Sequence, residues 1–348
     1  MAQPRLENRT PFAAEALFLT DEHGRPVVTL VAKATYVLSP RGLTLAEEQT
    51  PLQLGGELWG EDSANSSYRY EPECASFKPT TDVVLVGHAH PPNTQSREFL
   101  VHFRVGPLRK EVRVVGDRTW YKSLGSIAMT PPRPVERLPL CYERAFGGWD
   151  RSHPDPSRHT FEPRNPVGRG FRGPEGRFEE GILLPNLEDP EYVITSFRQT
   201  PPPTGFGFLS PHWIPRARFA GTYDAAWERE RKPLLPKDYD PRFMNAASPG
   251  LMAARYLRGN EPVVVENASP DGRLGFPLPG VPPPLYRVAL KGRSREQGVL
   301  NLDTVIVDTD AARVYLYWRA RVSLRSGPLD VFHMELKPES GAPVRLGG

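Results

Sequence analysis

From Val27 to Leu38 the even positions (Val28, Leu30, Ala32, Ala34, Tyr36 and Leu38) are all apolar, while the odd ones include Thr29, Lys33 and Thr35. A period of two sends alternate side chains to opposite sides of a strand, so this run predicts a strand with one buried face. The alternation at Ala16–Phe18, with Asp21-Glu22-His23-Gly24 between the two runs, predicts a hairpin. Phe99, Val101, Phe103 and Val105, then Gly106-Pro107, then Leu108, Lys110, Val112 and Val114 predict a second hairpin. Glu98, His102 and Arg104 give its first strand a polar, wet side. Near the other end, Val314, Leu316, Trp318, Ala320, Val322 and Leu324 alternate with Tyr315, Tyr317, Arg319, Arg321 and Ser323. Leu300–Val307 is placed to pair with that run through the turn-forming Asp308-Thr309-Asp310. Phe332, Met334 and Leu336 predict one more strand.

Between about residues 125 and 240 the periodicity gives way to Pro and Gly every few positions, as in MTPPRPVERLP, RNPVGRGFRGPEG and RQTPPPTGFGF. The same stretch carries Phe161, Phe178, Phe197, Phe219, Tyr223, Trp227 and other rings. A disordered linker is poor in such groups, so the segment reads as ordered, irregular structure stapled by aromatics. Two short helices follow in prediction: Arg242–Ala247 behind the cap Asp240-Pro241, and Gly250–Leu257 behind Ser248-Pro249, with Gly259 as the stop. The expected fold class is mainly β: antiparallel, β-sandwich-like sheets at both ends, joined by a long Pro/Gly/aromatic-rich segment with two short helices. The regions are 1–124, 125–260 and 261–348, and they can pack as one body.

Composition sharpens this. Forty prolines and thirty glycines in 348 residues disfavour long helices. The 44 basic and 41 acidic residues leave a net charge of only +3, and they mostly alternate. An arginine-rich stretch holds Arg133, Arg137, Arg144, Arg151, Arg158, Arg164, Arg169, Arg172 and Arg177. Loop arginines satisfying carbonyls and nearby acids explain it more simply than phosphate binding, so no nucleic-acid partner is expected. Cys74 and Cys141 are too few for a disulfide framework. The start, MAQPRLENRTPF, lacks a signal peptide's basic and apolar regions, and no apolar run approaches a membrane span. The expectation is a cytoplasmic protein with no membrane partner.

Possible chemistry is sparse. Gly168-Arg-Gly170-Phe-Arg-Gly173 matches a dinucleotide fingerprint only formally, since Asn165-Pro166 precedes it and Pro174 follows, where a strand and a helix are needed. His88 and His90 with His102, or His153, Asp155 and His159, are weak metal clusters in strand-end and loop settings. Glu143 with Asp150, or Asp303 with Asp308 and Asp310, are the carboxylate sets a glycosidase would need, and turn formation already explains the last two. No Gly-x-Ser-x-Gly elbow, Walker loop or His-Glu-x-x-His is present. The reading is therefore not an enzyme, with no catalytic residue, metal or cofactor assigned. The aromatic segments can serve internal packing or a protein-binding groove, because rings and Arg dominate binding hot spots. Candidate contacts are Arg144, Phe146, Trp149, Phe171, Phe206, Phe208 and Trp213.

Seven motifs stand in order: Ala145-Phe-Gly-Gly148, Asn165-Pro-Val-Gly-Arg-Gly-Phe171, Leu184-Pro-Asn-Leu-Glu188, Gly205-Phe-Gly-Phe208, Trp213-Ile-Pro-Arg216, Gly221-Thr-Tyr-Asp224 and Leu235-Pro-Lys-Asp238. With Leu302–Asp310 and Trp318-Arg319, this order resembles the bacterial family called domain of unknown function two-one-six-nine, from about residue 8 to 325. The resemblance implies a setting among type VI secretion genes and a role as adaptor or chaperone, loading an effector toxin onto the secretion spike. It implies no catalytic residues. The partner expected is an effector toxin or a spike protein. The alternative is a carbohydrate-binding or carbohydrate-hydrolysing β protein, since ring platforms and acids serve sugars too.

Overall fold

The computed structural model describes residues 4–292 and 295–339. The architecture of the described residues is mainly β, with several antiparallel sheets and one short α-helix. The central sheet uses Ala13–Thr20 (β1), Pro26–Ser39 (β2), Gly42–Leu45 (β3), Asp82–Val86 (β4), Asn301–Asp308 (β5) and Arg313–Ser323 (β6). Its order is β1-β2-β6-β5-β4, with β3 pairing the far end of β2. The first predicted hairpin runs in unbroken register from Ala13↔Lys33 to Thr20↔Pro26. Asp21 closes its turn, accepting from the N–H of His23 at 2.9 Å and of Arg25 at 2.8 Å. An early and a late stretch of the sequence lie side by side here, since β2 pairs β6 from Val27↔Ser323 to Val37↔Arg313.

The second predicted hairpin, Glu98–Val105 with Leu108–Val115, forms the middle of a five-stranded sheet. Leu187–Glu188 flanks it on one side, and Pro262–Glu266 and then Arg273–Pro277 on the other. A four-stranded sheet joins Leu6–Asn8, Val331–Lys337, Leu285–Leu290 and Glu296–Val299. One apolar cluster draws on all three, including Leu30, Phe103 and Met334. Phe332 departs from its predicted alternation and is 68% exposed. The register shifts between Ala289 and Leu290, skipping Phe332 and leaving its ring outside under the Lys291 ammonium.

Two expectations are corrected. β2 is buried on both faces, including Thr29, Lys33 and Thr35. The polar face lies under the segment between β3 and β4, which satisfies it group by group. Thr29 Oγ1 donates to the Ser76 carbonyl at 2.9 Å, and Lys33 Nζ meets Glu73 Oε1 at 2.7 Å and the Pro51 carbonyl at 3.0 Å. Tyr317 Oη donates to the same Glu73 oxygen at 2.7 Å. Desolvation alone penalises a buried ammonium, so the carboxylate is what keeps the lysine inside.

The predicted helices also change. Arg242–Ala247 is a single 3-10 turn at Pro241–Met244, capped as expected by Asp240. Gly250–Leu257 is not helical. Its backbone is drawn to the edge of β4, where the Val83 N–H donates to Leu251 O and the Ala253 N–H to Thr81 O, each at 2.9 Å. The α-helix is Ala225–Glu230 (α1), whose N-cap Asp224 accepts from the Trp227 N–H at 2.8 Å. No helix among the described residues is long and apolar enough to cross a membrane.

Candidate functional site

The Pro/Gly-rich middle builds a second, smaller core. Trp120, Phe146, Leu184 and Ile194 are buried in it, with Met129, Phe171, Phe178, Ile182 and Phe197 packed around them. Edge-to-face rings hold it: Trp120 against Phe197 at 5.7 Å and Phe178 against Phe197 at 5.4 Å. Phe146-Gly147 pairs in parallel with Arg169-Gly170, and Trp149-Asp150 pairs antiparallel with Thr160-Phe161.

Glycine is required where these short strands cross. Gly148 has φ +90°, and a Cβ on it would meet the Gly168 carbonyl oxygen at 2.2 Å. Buried Asn165 ties the same crossing, donating from Nδ2 to the carbonyls of Tyr142 at 2.8 Å and Phe146 at 2.9 Å. Asp150, also buried, fastens the far side. It accepts from Ser152 N–H at 3.0 Å, Ser152 Oγ at 2.7 Å and the Gly173 N–H at 2.9 Å. Burial pushes the Asp150 carboxyl up, and those donors with Arg172 outweigh it and hold the group below its usual range.

With Asp150 turned inward, its neighbour Trp149 faces out. The Trp149 and Phe161 rings lie 4.7 Å apart at 31°, each 42% exposed, and the Arg151 guanidinium sits 5.2 Å from the indole centroid. Arg172 borders them, only 12% exposed. Its Nη1 donates to the Phe171 carbonyl at 3.0 Å, its Nη2 is 3.9 Å from Glu179, and its buried Nε has no partner among the described residues. Two adjoining open hollows of about 350 and 400 Å³ share Trp149, Gly168, Arg172 and Glu179. A ring platform beside under-used guanidinium donors can stack a planar group and bind a carboxylate or carbonyl next to it.

The structure separates the predicted contacts. Phe206, Phe208 and Trp213 are inside the main core at 0, 2 and 1% exposure. Phe206 packs against Phe103 at 6.1 Å, and Trp213 against Tyr142 at 5.4 Å. Phe146 is buried in the smaller core with half-buried Phe171 against it. Arg144 is half-buried, with Nη1 3.4 Å from Asn186 Oδ1. Trp149 alone of the seven presents a ring to solvent, and its partners Phe161, Arg151 and Arg172 were not among the predicted contacts. Tyr121, Leu124, Ile127, Trp149, Phe161, Leu183 and Tyr192 are seven of the twelve exposed large hydrophobic residues among those described, and all lie within roughly a fifth of the chain.

The other constellations are engaged elsewhere. His88 Nδ1 lies 2.7 Å from Asp310, His102 lies 3.2 Å from Glu111, and His153 Nδ1 accepts from the Asp155 N–H at 3.0 Å. No three His, Cys, Asp or Glu among the described residues are grouped to hold a metal ion. Glu143 accepts from Ser66 Oγ at 2.9 Å and from Ser67 N–H and Oγ at 2.7 Å, while Asp303 pairs with buried Arg319 and Asp308 with Tyr70.

A family model matches residues 23–319, which take in the second hairpin and the smaller core and leave β1 outside. The chain belongs to that family, DUF2169, described as an uncharacterized protein conserved in bacteria. All seven ordered motifs fall inside the match, so the glycine crossing and the Trp149 surface are built from DUF2169 sequence. No curated protein and no solved structure matches this DUF2169 chain.

Proposed function

We propose that this protein is a cytoplasmic adaptor or chaperone of type VI secretion that holds an effector toxin for loading onto the spike, with the Trp149 surface as its contact. The secretion setting comes from the family resemblance. The observation that carries the binding role is the exposed Trp149–Phe161 ring pair, flanked by Arg151 and Arg172, in the stretch of chain where exposed apolar residues concentrate. Such a patch has the aromatic and arginine composition of binding hot spots. The test is co-purification from the native host of wild type against Trp149→Ala and Arg151→Glu. Loss of a toxin or spike component from folded variants supports the reading, and equal recovery removes this surface.

A second reading has its own observation. The hollows beside Trp149 are also lined by Asn65, Ser152 and Glu179, and a ring face with polar neighbours suits a sugar. Saturable binding on a glycan array, lost in Trp149→Ala, would favour a carbohydrate-binding protein. Sugar release by wild type would make it a hydrolase.

A further inference from the structure

The far edge of the central sheet, at β4, is closed from within, and β3 on the near side is only four residues long. At β4, the Val83 N–H donates to Leu251 O at 2.9 Å, the Leu85 N–H donates to Phe206 O at 3.3 Å, and Asp82 bridges to Met252. Between β1 and β3, the Gln49 side-chain amide imitates a strand. Its Oε1 accepts from the Thr35 N–H at 2.8 Å and its Nε2 donates to the Thr35 carbonyl at 3.2 Å. β1 is different. It is terminal, and no described residue hydrogen-bonds to the backbone groups on its outer side.

Edge strands are templates for another chain, and proteins blunt them with proline, lysine, bulges or short length. β1 uses none of these. It runs eight residues, Ala-Ala-Glu-Ala-Leu-Phe-Leu-Thr, with no proline, glycine or basic residue and no register shift against β2. Ala14, Ala16 and Phe18 pack on the main core and hold the row extended. Glu15 is its sole charge, exposed, with no ion pair or hydrogen bond among the described residues.

Where β1 ends, a hollow of about 340 Å³ begins. Thr20 lines it together with Phe77, Leu234, Met244 and Tyr239. The Tyr239 hydroxyl is buried there without a hydrogen-bond partner among the described residues. The hollow is mostly apolar, holds a free donor, and has room for one large side chain and its carbonyl.

We infer that β1 accepts an extended segment of a partner protein by strand addition, with a Lys or Arg opposite Glu15 and an aromatic or aliphatic anchor in the Thr20–Tyr239 hollow. Main-chain hydrogen bonds supply the affinity, and alternate side chains the selectivity. Charge decides the occupant. A second copy of this chain would bring its own β1, whose one charge is again Glu15, so self-pairing supplies no cation. The surface shares no residue with the Trp149 platform, and the inference does not rest on that reading.

The probe is a fluorescein-labelled octapeptide amide, Thr-Val-Thr-Lys-Thr-Val-Thr-Phe, titrated onto the full chain by anisotropy, with hydrogen exchange followed at residues 13–20. Saturable binding with slowed exchange in β1 is expected. A Lys-to-Glu peptide should bind about fivefold more weakly, and Glu15→Lys in the protein should reverse that preference. Methylating alternate peptide nitrogens should abolish binding in one phase and spare it in the other, because only one row faces β1. No saturable binding, or indifference to methylation in both phases, would overturn the inference. Protection of residues 13–20 in a concentration-dependent dimer without peptide would also overturn it, naming a second copy as the occupant. Either failure leaves the co-purification test of Trp149 untouched.

Discussion

Trp149 and Phe161 sit on directly opposed positions of two short strands, their rings 4.7 Å apart, while in the next pair Asp150 is buried opposite an exposed Thr160. Such a pair is worth about 0.5–1.5 kcal/mol beyond its buried area. A double-mutant cycle with Trp149→Ala and Phe161→Ala, read by urea unfolding, should return a coupling of that size. Strict additivity would mean that the rings are not in contact in solution.

Trp213 behaves oppositely. It is 1% exposed against Tyr142, so Trp213→Ala should cost about 3–5 kcal/mol. Partner recovery should fall only in proportion to the unfolded fraction, measured by urea titration beside the pull-down. Reduced affinity of the folded fraction would give Trp213 a contact that its burial denies.

Lys33 and Glu73 form a buried pair 2.7 Å apart. Lys33→Met leaves the carboxylate without its cation, with a loss of about 3 kcal/mol. Adding Glu73→Gln removes the orphaned charge, so the double variant should be more stable than Lys33→Met alone. Thermal unfolding of wild type and the two variants at one pH checks the order.

Asp150 gives a pH dependence with a definite sign. Its folded pKa is held below the unfolded value, so its contribution is fully present above about pH 4 and is lost as the pH falls through the folded value. Asp150→Asn should flatten that acid limb. It should also lower stability at pH 7 by about 1–3 kcal/mol, because an amide cannot accept all three bonds. A melting series from neutral to acid pH reads both effects.

How far the residues alone disclose this arrangement depends on the length of the pattern. β1, β2, β5 and β6 are long enough for a period of two to show, and both hairpins lie where the alternation puts them. The second burial of β2 was illegible because the covering segment, reaching Pro51, Glu73 and Ser76, has no period of its own. The same limit hid the Trp149 surface. Strands of two residues carry no periodicity, so an aromatic-rich segment could not be divided into Phe206, Phe208 and Trp213 inside and Trp149 and Phe161 outside. The helix expected at Gly250–Leu257 failed for another reason: its capping signal was sound locally, and the edge of β4 claimed the backbone.

The pairing of β2 with β6 also sets a timetable. Val27 meets Leu19 within its own hairpin, but its partner on the other side is Ser323, so a ribosome must make everything between them before the central sheet can close. Until then β2 offers neighbours one open edge of a valine-rich strand, the kind of intermediate that aggregates. The smaller core meanwhile draws its residues from Trp120 to Phe197 and can assemble first. A newborn chain would therefore carry a finished Trp149 platform while its own central sheet is still open.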